Sequence, residues 1–195
     1  LTAISKGIGN QVAVLTGTNA DETTLWSSGK TDAEKLNRVA TGLGAMSALE
    51  TYKTTRPEAD PATLSVALTT DHMFRIPAIR MLEARVPYNQ NNWLYQFNWR
   101  SRAFDGKLGA THALEIPFAF DNLDRAGVDV FIGPGDKPQH VADTMHQAWI
   151  KFINDGDPGW PAYSLEQRST MCFDEVSAVI NDPDQLEREA WQGLR

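Results

Sequence analysis

One imidazole and one carboxylate stand out by position as well as by type. His112 lies in Leu108-Gly109-Ala110-Thr111-His112-Ala113-Leu114-Glu115, and Glu22 in Gly17-Thr18-Asn19-Ala20-Asp21-Glu22-Thr23-Thr24-Leu25-Trp26. Histidine titrates near neutrality and can take and return a proton. A carboxylate beside it accepts the second ring N–H, fixes the tautomer and stabilises the charged form. Gly109 and Ala110 permit a tight backbone path that holds an imidazole out toward a cleft. Taken singly, each residue has a plainer explanation. His112 reads as a loop histidine bonded to backbone. Glu22, with Asp21, reads as an acid at the positive start of a short helix before Leu25 and Trp26.

The other reactive side chains carry less. His140 and His146 stand about 600° apart around one helix, so they face different sides and cannot share a metal. They read as solvated helix residues, and His72 beside Asp71 as a local structural contact. Cys172, the single cysteine, falls in a strand without a cationic neighbour and is expected to be an inert packed thiol. It also excludes an internal disulfide framework and a multi-thiolate zinc site. Gly7-Ile8-Gly9 has no phosphate-loop continuation and Gly133-Pro134-Gly135 reads as a turn, so no nucleotide site is expected. No Gly-x-Ser-x-Gly occurs. The nearest string, Gly44-Ala45-Met46-Ser47, has the wrong spacing and lies in a helix.

The elements that must position Glu22 and His112 are legible in outline. Residues 11–16 (QVAVLT) form a continuous apolar run ending at Gly17, the pattern of a buried strand, with the Glu22 loop at its carboxyl end. Residues 92–101 alternate Trp93, Tyr95, Phe97 and Trp99 with smaller or polar residues, a strand whose aromatics are most simply core. The loop bearing His112 follows, over 103–120, with a short helical piece. Residues 170–179 give a third strand. Helices are expected over 31–54 (Leu36, Val39, Leu43, Met46, Leu49), over 62–84 with a break at Pro77, over 138–154 (Val141, Met145, Trp149, Phe152) and over 183–191. Strands separated by helices indicate an α/β fold with a mostly parallel sheet of about three strands. Open sheets of this kind place ligands at the carboxyl ends of their strands, where both loops fall. The order acid then histidine matches the last two members of the nucleophile, acid, histidine order of hydrolases with this architecture.

Composition sets the outer limits. The chain has 195 residues, with 42% hydrophobic and 22% charged residues, the profile of an ordinary globular domain. Eighteen Lys and Arg against 25 Asp and Glu give a net charge of −7, which repels phosphate backbones, so no nucleic-acid partner is expected. No apolar stretch approaches the roughly 20 residues that cross a bilayer, so no membrane partner is expected either. One cysteine fits a reducing, cytoplasmic setting.

At this point four strings carry a family resemblance. LTGTNADETTLW resembles the strand and acid loop of type B carboxylesterases, the family of cholinesterases and bacterial para-nitrobenzyl esterases. WLYQFNWRS resembles the strand before their histidine loop, and LGATHALEIPFAF the loop itself. HQAWIKFINDGDP with Trp160-Pro161-Ala162-Tyr163 is similar to their late helix and the turn after it. The resemblance runs through nearly the whole chain and implies an α/β-hydrolase fold. It implies Glu22 as the triad acid, His112 as general base and then acid, and a supporting role for Glu115. It implies a small carboxylic ester as substrate and needs no cofactor and no metal. Two residues depart from the family pattern, Thr23 and Ala113, each standing where glycine is common.

The family's serine and oxyanion loop lie upstream of the acid, and neither occurs here. Residues 1–195, opening at Leu1, are therefore expected to be the C-terminal portion of one catalytic domain. Such a chain lacks the groups supplying most of the rate acceleration and is expected to be inactive alone. Its expected partners are the missing N-terminal part or, through an open sheet edge, a second copy in a homo-oligomer or swapped dimer. The alternative is a non-catalytic module of the same fold that binds partners, which would need neither Glu22 nor His112.

Overall fold

The computed structural model describes residues 1–27 and 30–194. At its centre is a four-stranded sheet in the order β1 (Val14–Asn19), β2 (Asn92–Phe97), β3 (Ser169–Phe173), β4 (Ala178–Asn181). The first three strands are parallel and β4 runs antiparallel to β3. The count of three strands is thus corrected to four: the run 170–179 is a hairpin that folds over between Phe173 and Ala178. Every residue of β4 is exposed, so it has no buried face to impose a hydrophobic alternation.

The first strand starts and ends three positions later than its apolar run suggests, because Gly17 lies inside it. A Cβ on Gly17 would sit 2.3 Å from the Tyr95 carbonyl oxygen and 2.4 Å from its ring. The glycine marks a close backbone approach to β2 and does not end the strand. β2 stops at Phe97, short of the expected Ser101. There the Asn98 and Trp99 amides both turn to the Phe173 carbonyl, and Ser101 bridges only to Gly109.

The expected helix over 31–54 is two, α1 (Ala33–Gly42) and α2 (Met46–Thr55). Asp32 caps α1 through the Lys35 amide at 2.8 Å. Gly44 takes φ +66 and Ala45 donates back to the Ala40 carbonyl at 2.8 Å, the glycine-closed helix end that separates the pair. Next come α3 (Pro61–Thr70), a widened π turn (Asp71–Arg75) and α4 (Ile76–Arg85), joined without interruption. Pro77 does not break this stretch. The turn ahead of it is already widened by one residue, so the missing donor and the ring fall where the ordinary ladder is suspended. The remaining helices are α5 (Ile116–Ala119), α6 (Val128–Ile132), α7 (Gln139–Asp155) and α8 (Gln185–Ala190).

Helices cover both faces of the sheet. On one, Leu36, Leu49, Tyr52, Leu68, Leu82 and Trp191 pack with Leu94 of β2. On the other, Trp93 and Phe97 of β2 join Phe118, Val141, Met145 and Phe173. Trp93, Phe97 and Trp99 are buried and Tyr95 half-buried. Each fully buried ring or branched chain contributes about 1.5–3 kcal/mol. The π turn is anchored by charge. Arg75 binds Asp71 through Nε at 2.6 Å, the Tyr52 hydroxyl donates to the same carboxylate, and Trp191 Nε1 donates to the Tyr52 oxygen at 2.9 Å. Among the described residues no helix is long and apolar enough to cross a membrane.

Candidate active site

Asn19, the last residue of β1, pairs with Phe97, the last of β2, so the two parallel strands end at one rim. The chain leaves β1 through Ala20 and Asp21 and enters a tight turn, Glu22–Trp26. It leaves β2 through a longer excursion and returns at Gly109 to Glu115. The two loops are then cross-braced. The Asp21 amide donates to the Ala110 carbonyl at 2.9 Å, and the Ala110 amide donates to Asp21 Oδ2 at 2.9 Å. The His112 amide donates to the Glu22 carbonyl at 3.3 Å. Gly109 has φ +63, and a Cβ there would stand 2.5 Å from Asp21 Oδ2, so this crossing requires glycine. Arg100 closes the outer side, 2.7 Å from the same oxygen.

These braces bring Glu22 and His112 together. Glu22 Oε2 lies 2.6 Å from His112 Nδ1 and Oε1 accepts the Asn19 amide at 2.9 Å. Glu22 is 6% exposed, whereas the imidazole is 45% exposed. An ionised Glu22 accepts from Nδ1–H, which leaves Nε2 as the ring's proton acceptor. Nε2 has no partner among the described residues. Burial pushes the Glu22 carboxyl above its ordinary range, against the lowering pull of the Asn19 amide and of His112, and the nearby Glu115 raises it further.

Glu115 stands at the head of α5, where its carboxylate accepts from Asn19 Nδ2 at 2.5 Å. The Tyr95 hydroxyl is raised by burial and by the negative charges of Glu115 and Glu22. Both departures from glycine have a visible setting. Ala113 takes φ +66, a left-handed conformation that costs a residue with a Cβ roughly 1–2 kcal/mol. Thr23 is buried, and its hydroxyl meets the Val66 carbonyl at 3.2 Å and Thr69 Oγ1 at 2.6 Å, tying the acid turn to α3.

Aromatic rings wall the imidazole. Trp26 lies 5.1 Å and Phe74 5.4 Å from His112 by ring centroids, and the two rings stack on each other at 5.9 Å. Phe74 belongs to the π turn, so the buried Asp71 and Arg75 anchor also fixes this wall. Trp26, Phe74 and Asn19 do not stand out in the sequence, and Asp21 does so only as an acid at a helix start. Trp26 and Phe74 read as ordinary apolar positions, and Asn19 and Asp21 as part of a polar loop.

The other candidates lie apart. Ser47 is exposed in the first turn of α2. His72 packs against Trp191 at 5.6 Å, His140 meets Glu175 at 3.1 Å, and His146 Nδ1 is 2.9 Å from the Ala119 carbonyl. Cys172 is buried in β3, its thiol pushed up to about 11 by burial.

A family model described as the carboxylesterase family matches residues 1–182. The chain is 30% identical over 200 residues to para-nitrobenzyl esterase of Bacillus subtilis (strain 168), a match covering 96% of this chain and 39% of that protein. It is 32% identical over 131 residues to phenmedipham hydrolase of Pseudarthrobacter oxydans, covering 63% of this chain and 26% of the relative. Among solved structures, a carboxylesterase of Geobacillus stearothermophilus is similar with TM-score 0.78 and 28% identity, covering 98% of this chain and 42% of that one. A para-nitrobenzyl (PNB) esterase gives TM-score 0.76 and 28% identity, covering 97% and 40%. The fold of the chain is that of the α/β-hydrolases, and the chain spans about two fifths of the length of the first of these relatives.

Proposed function

The chain belongs to the carboxylesterase family, and from that premise we propose that it supplies the acid and the histidine of a serine-type ester hydrolase. The observation that carries the reading is the 2.6 Å contact between a buried Glu22 and a half-exposed His112. In the assembled enzyme His112 Nε2 takes the proton of a serine hydroxyl as that oxygen attacks the ester carbonyl. The imidazolium then returns the proton to the departing alkoxide. Water repeats the cycle on the acyl-enzyme and frees the carboxylic acid. Glu22 holds Nδ1–H throughout and balances the charge that appears on the ring. Glu115 acts through Asn19 and touches no substrate.

The serine and the oxyanion donors come from polypeptide beyond these 195 residues, so the chain alone does not turn over esters. The outer edge of β1 has no strand partner among the described residues, and it receives either that polypeptide or a second copy of this chain. The rings of Trp26 and Phe74 fit an ester with an apolar or aromatic group, in keeping with the substrate in the name para-nitrobenzyl esterase. The chemistry uses no cofactor or metal, and the single buried cysteine suits a cytoplasmic setting.

The test is hydrolysis of an aromatic ester by the chain alone and by the enzyme assembled with its upstream segment. His112→Ala should lower turnover of the assembled enzyme by about 10⁶-fold, while Ser47→Ala leaves it unchanged. Equal effects of the two substitutions, or no hydrolysis by the assembled protein, would favour the partner-binding module instead.

A further inference from the structure

Asn19 ties the acid loop to the histidine loop. It is 1% exposed. Its backbone N–H donates to Glu22 Oε1 at 2.9 Å, and its Nδ2 donates to the Thr111 carbonyl at 2.7 Å and to Glu115 Oε2 at 2.5 Å. Both hydrogens of the carboxamide are therefore spent on acceptors of the histidine loop, and the orientation of the amide is fixed, since turning it over would set Oδ1 against two other oxygens. Oδ1 is buried without a hydrogen-bond partner among the described residues.

We infer that Asn19 is a positioning residue for the Glu22–His112 pair, a two-hydrogen donor that locks the histidine loop to the acid loop and keeps the Glu115 carboxylate occupied beside them. The inference rests on the reading of Glu22 and His112 as a working pair. Without the fork, the Thr111 carbonyl one residue before His112 and the Glu115 carboxylate three residues after it both lose their donor. The loop that aims the imidazole is then held to the acid loop at its Ala110 end by Asp21 and by the His112 backbone amide, with no tie on Thr111 or Glu115. Asparagine suits this place because its two donors diverge from one short, stiff stem, whereas aspartate has the same shape and offers only acceptors.

The experiment is proton NMR of the 195-residue chain with ¹⁵N-labelled histidine, reading the low-field Nδ1–H signal of His112, assigned by its disappearance in His112→Ala. Asn19→Asp should abolish the signal in a chain whose circular dichroism is unchanged. Glu115→Gln alone should keep it, because the new amide oxygen still accepts from Asn19. Asn19→Asp combined with Glu115→Gln restores a donor only toward position 115 and leaves the Thr111 carbonyl facing an acceptor, so it should return less than half of the wild-type intensity. Should Asn19→Asp not fold, Asn19→Ala carries the same expected loss without adding a charge. A folded Asn19→Asp chain that keeps the full signal, or a double variant that regains all of it without a donor for Thr111, overturns the assignment of Asn19 as a two-hydrogen fork. A folded wild-type chain without the signal overturns the Glu22–His112 reading itself, and the inference falls with it.

Discussion

Glu22→Gln isolates what the carboxylate does, because the substitution keeps shape and removes charge. The amide oxygen can still accept the Asn19 N–H that Oε1 accepts now at 2.9 Å. The amide nitrogen then faces His112 Nδ1, where Oε2 lies at 2.6 Å. An N–H there requires Nδ1 to be the acceptor, so the ring proton moves to Nε2. In that tautomer Nε2 cannot receive a serine proton, as the proposed mechanism requires. A wrong tautomer in such a triad lowers kcat by about 10⁴-fold, or about 5.4 kcal/mol at 1.36 kcal/mol per decade. Stability should move the other way at neutral pH. Burial raises the Glu22 carboxyl above its ordinary 4.5. Below the ordinary value the group is protonated in both folded and unfolded chains, and as pH rises through the raised native value its contribution to stability is lost. The Gln variant therefore gains Tm relative to wild type between about pH 4 and pH 7. The assays are ester turnover by the assembled enzyme, ¹⁵N shifts that report the tautomer, and thermal unfolding at both pH values. A loss under tenfold with the tautomer unchanged would refute the reasoning.

Other consequences are simpler. Ala113→Gly relieves the left-handed strain at φ +66 and, after the added chain entropy of glycine, should stabilise by about 0.5–1 kcal/mol. That is a rise in Tm of roughly 1–4 °C, and a fall would show that the Ala113 methyl has a packing role. Gly17→Ala drives a Cβ into the Tyr95 carbonyl oxygen at 2.3 Å. Two paired strands cannot both give way, so about 3 kcal/mol should be lost in urea unfolding. An unchanged urea midpoint would contradict the close strand approach. Cys172, buried and with its thiol pushed up to about 11, should resist a disulfide reagent at pH 8 until the chain is denatured. Full labelling of the folded chain would contradict its burial.

What was legible in the sequence was whatever one segment announces by itself. The aromatic alternation around Trp93 and Phe97 located β2, and the α7 stripe located its helix to within a residue at either end. Glu22 and His112 emerged from order and loop placement, helped by the family resemblance. The errors share a physical cause, which is tertiary contact. Gly17 looks like a strand terminator until Tyr95 of the neighbouring strand is beside it. Pro77 looks like a breaker until the π turn ahead of it widens the ladder. Gly44 ends a helix inside a stripe that otherwise stays in phase. Asn19 and Phe74 have no local signature, because their partners lie 92 to 96 positions away for Asn19 and across the sheet rim for Phe74.

Two residues beside the pair, Ala113 and Asn19, bear on what these loops hold in place. Ala113 holds a left-handed backbone one residue after His112, and Asn19 Oδ1 is buried unpaired beside Glu22 and Glu115. The left-handed setting of Ala113 departs from the choice that stability alone would make, which is glycine. Both residues lie within one residue or one hydrogen bond of the Glu22–His112 contact. A loop that merely connected β2 to α5 would have no reason to retain that strain next to His112. A loop that must hold one ring nitrogen against a carboxylate and leave the other without a hydrogen-bond partner among the described residues has that reason. On this argument Ala113→Gly should raise stability and yet lower turnover in the assembled enzyme, as the backbone preceding Leu114 loosens. A gain in both would mean that the strain plays no part in aiming His112.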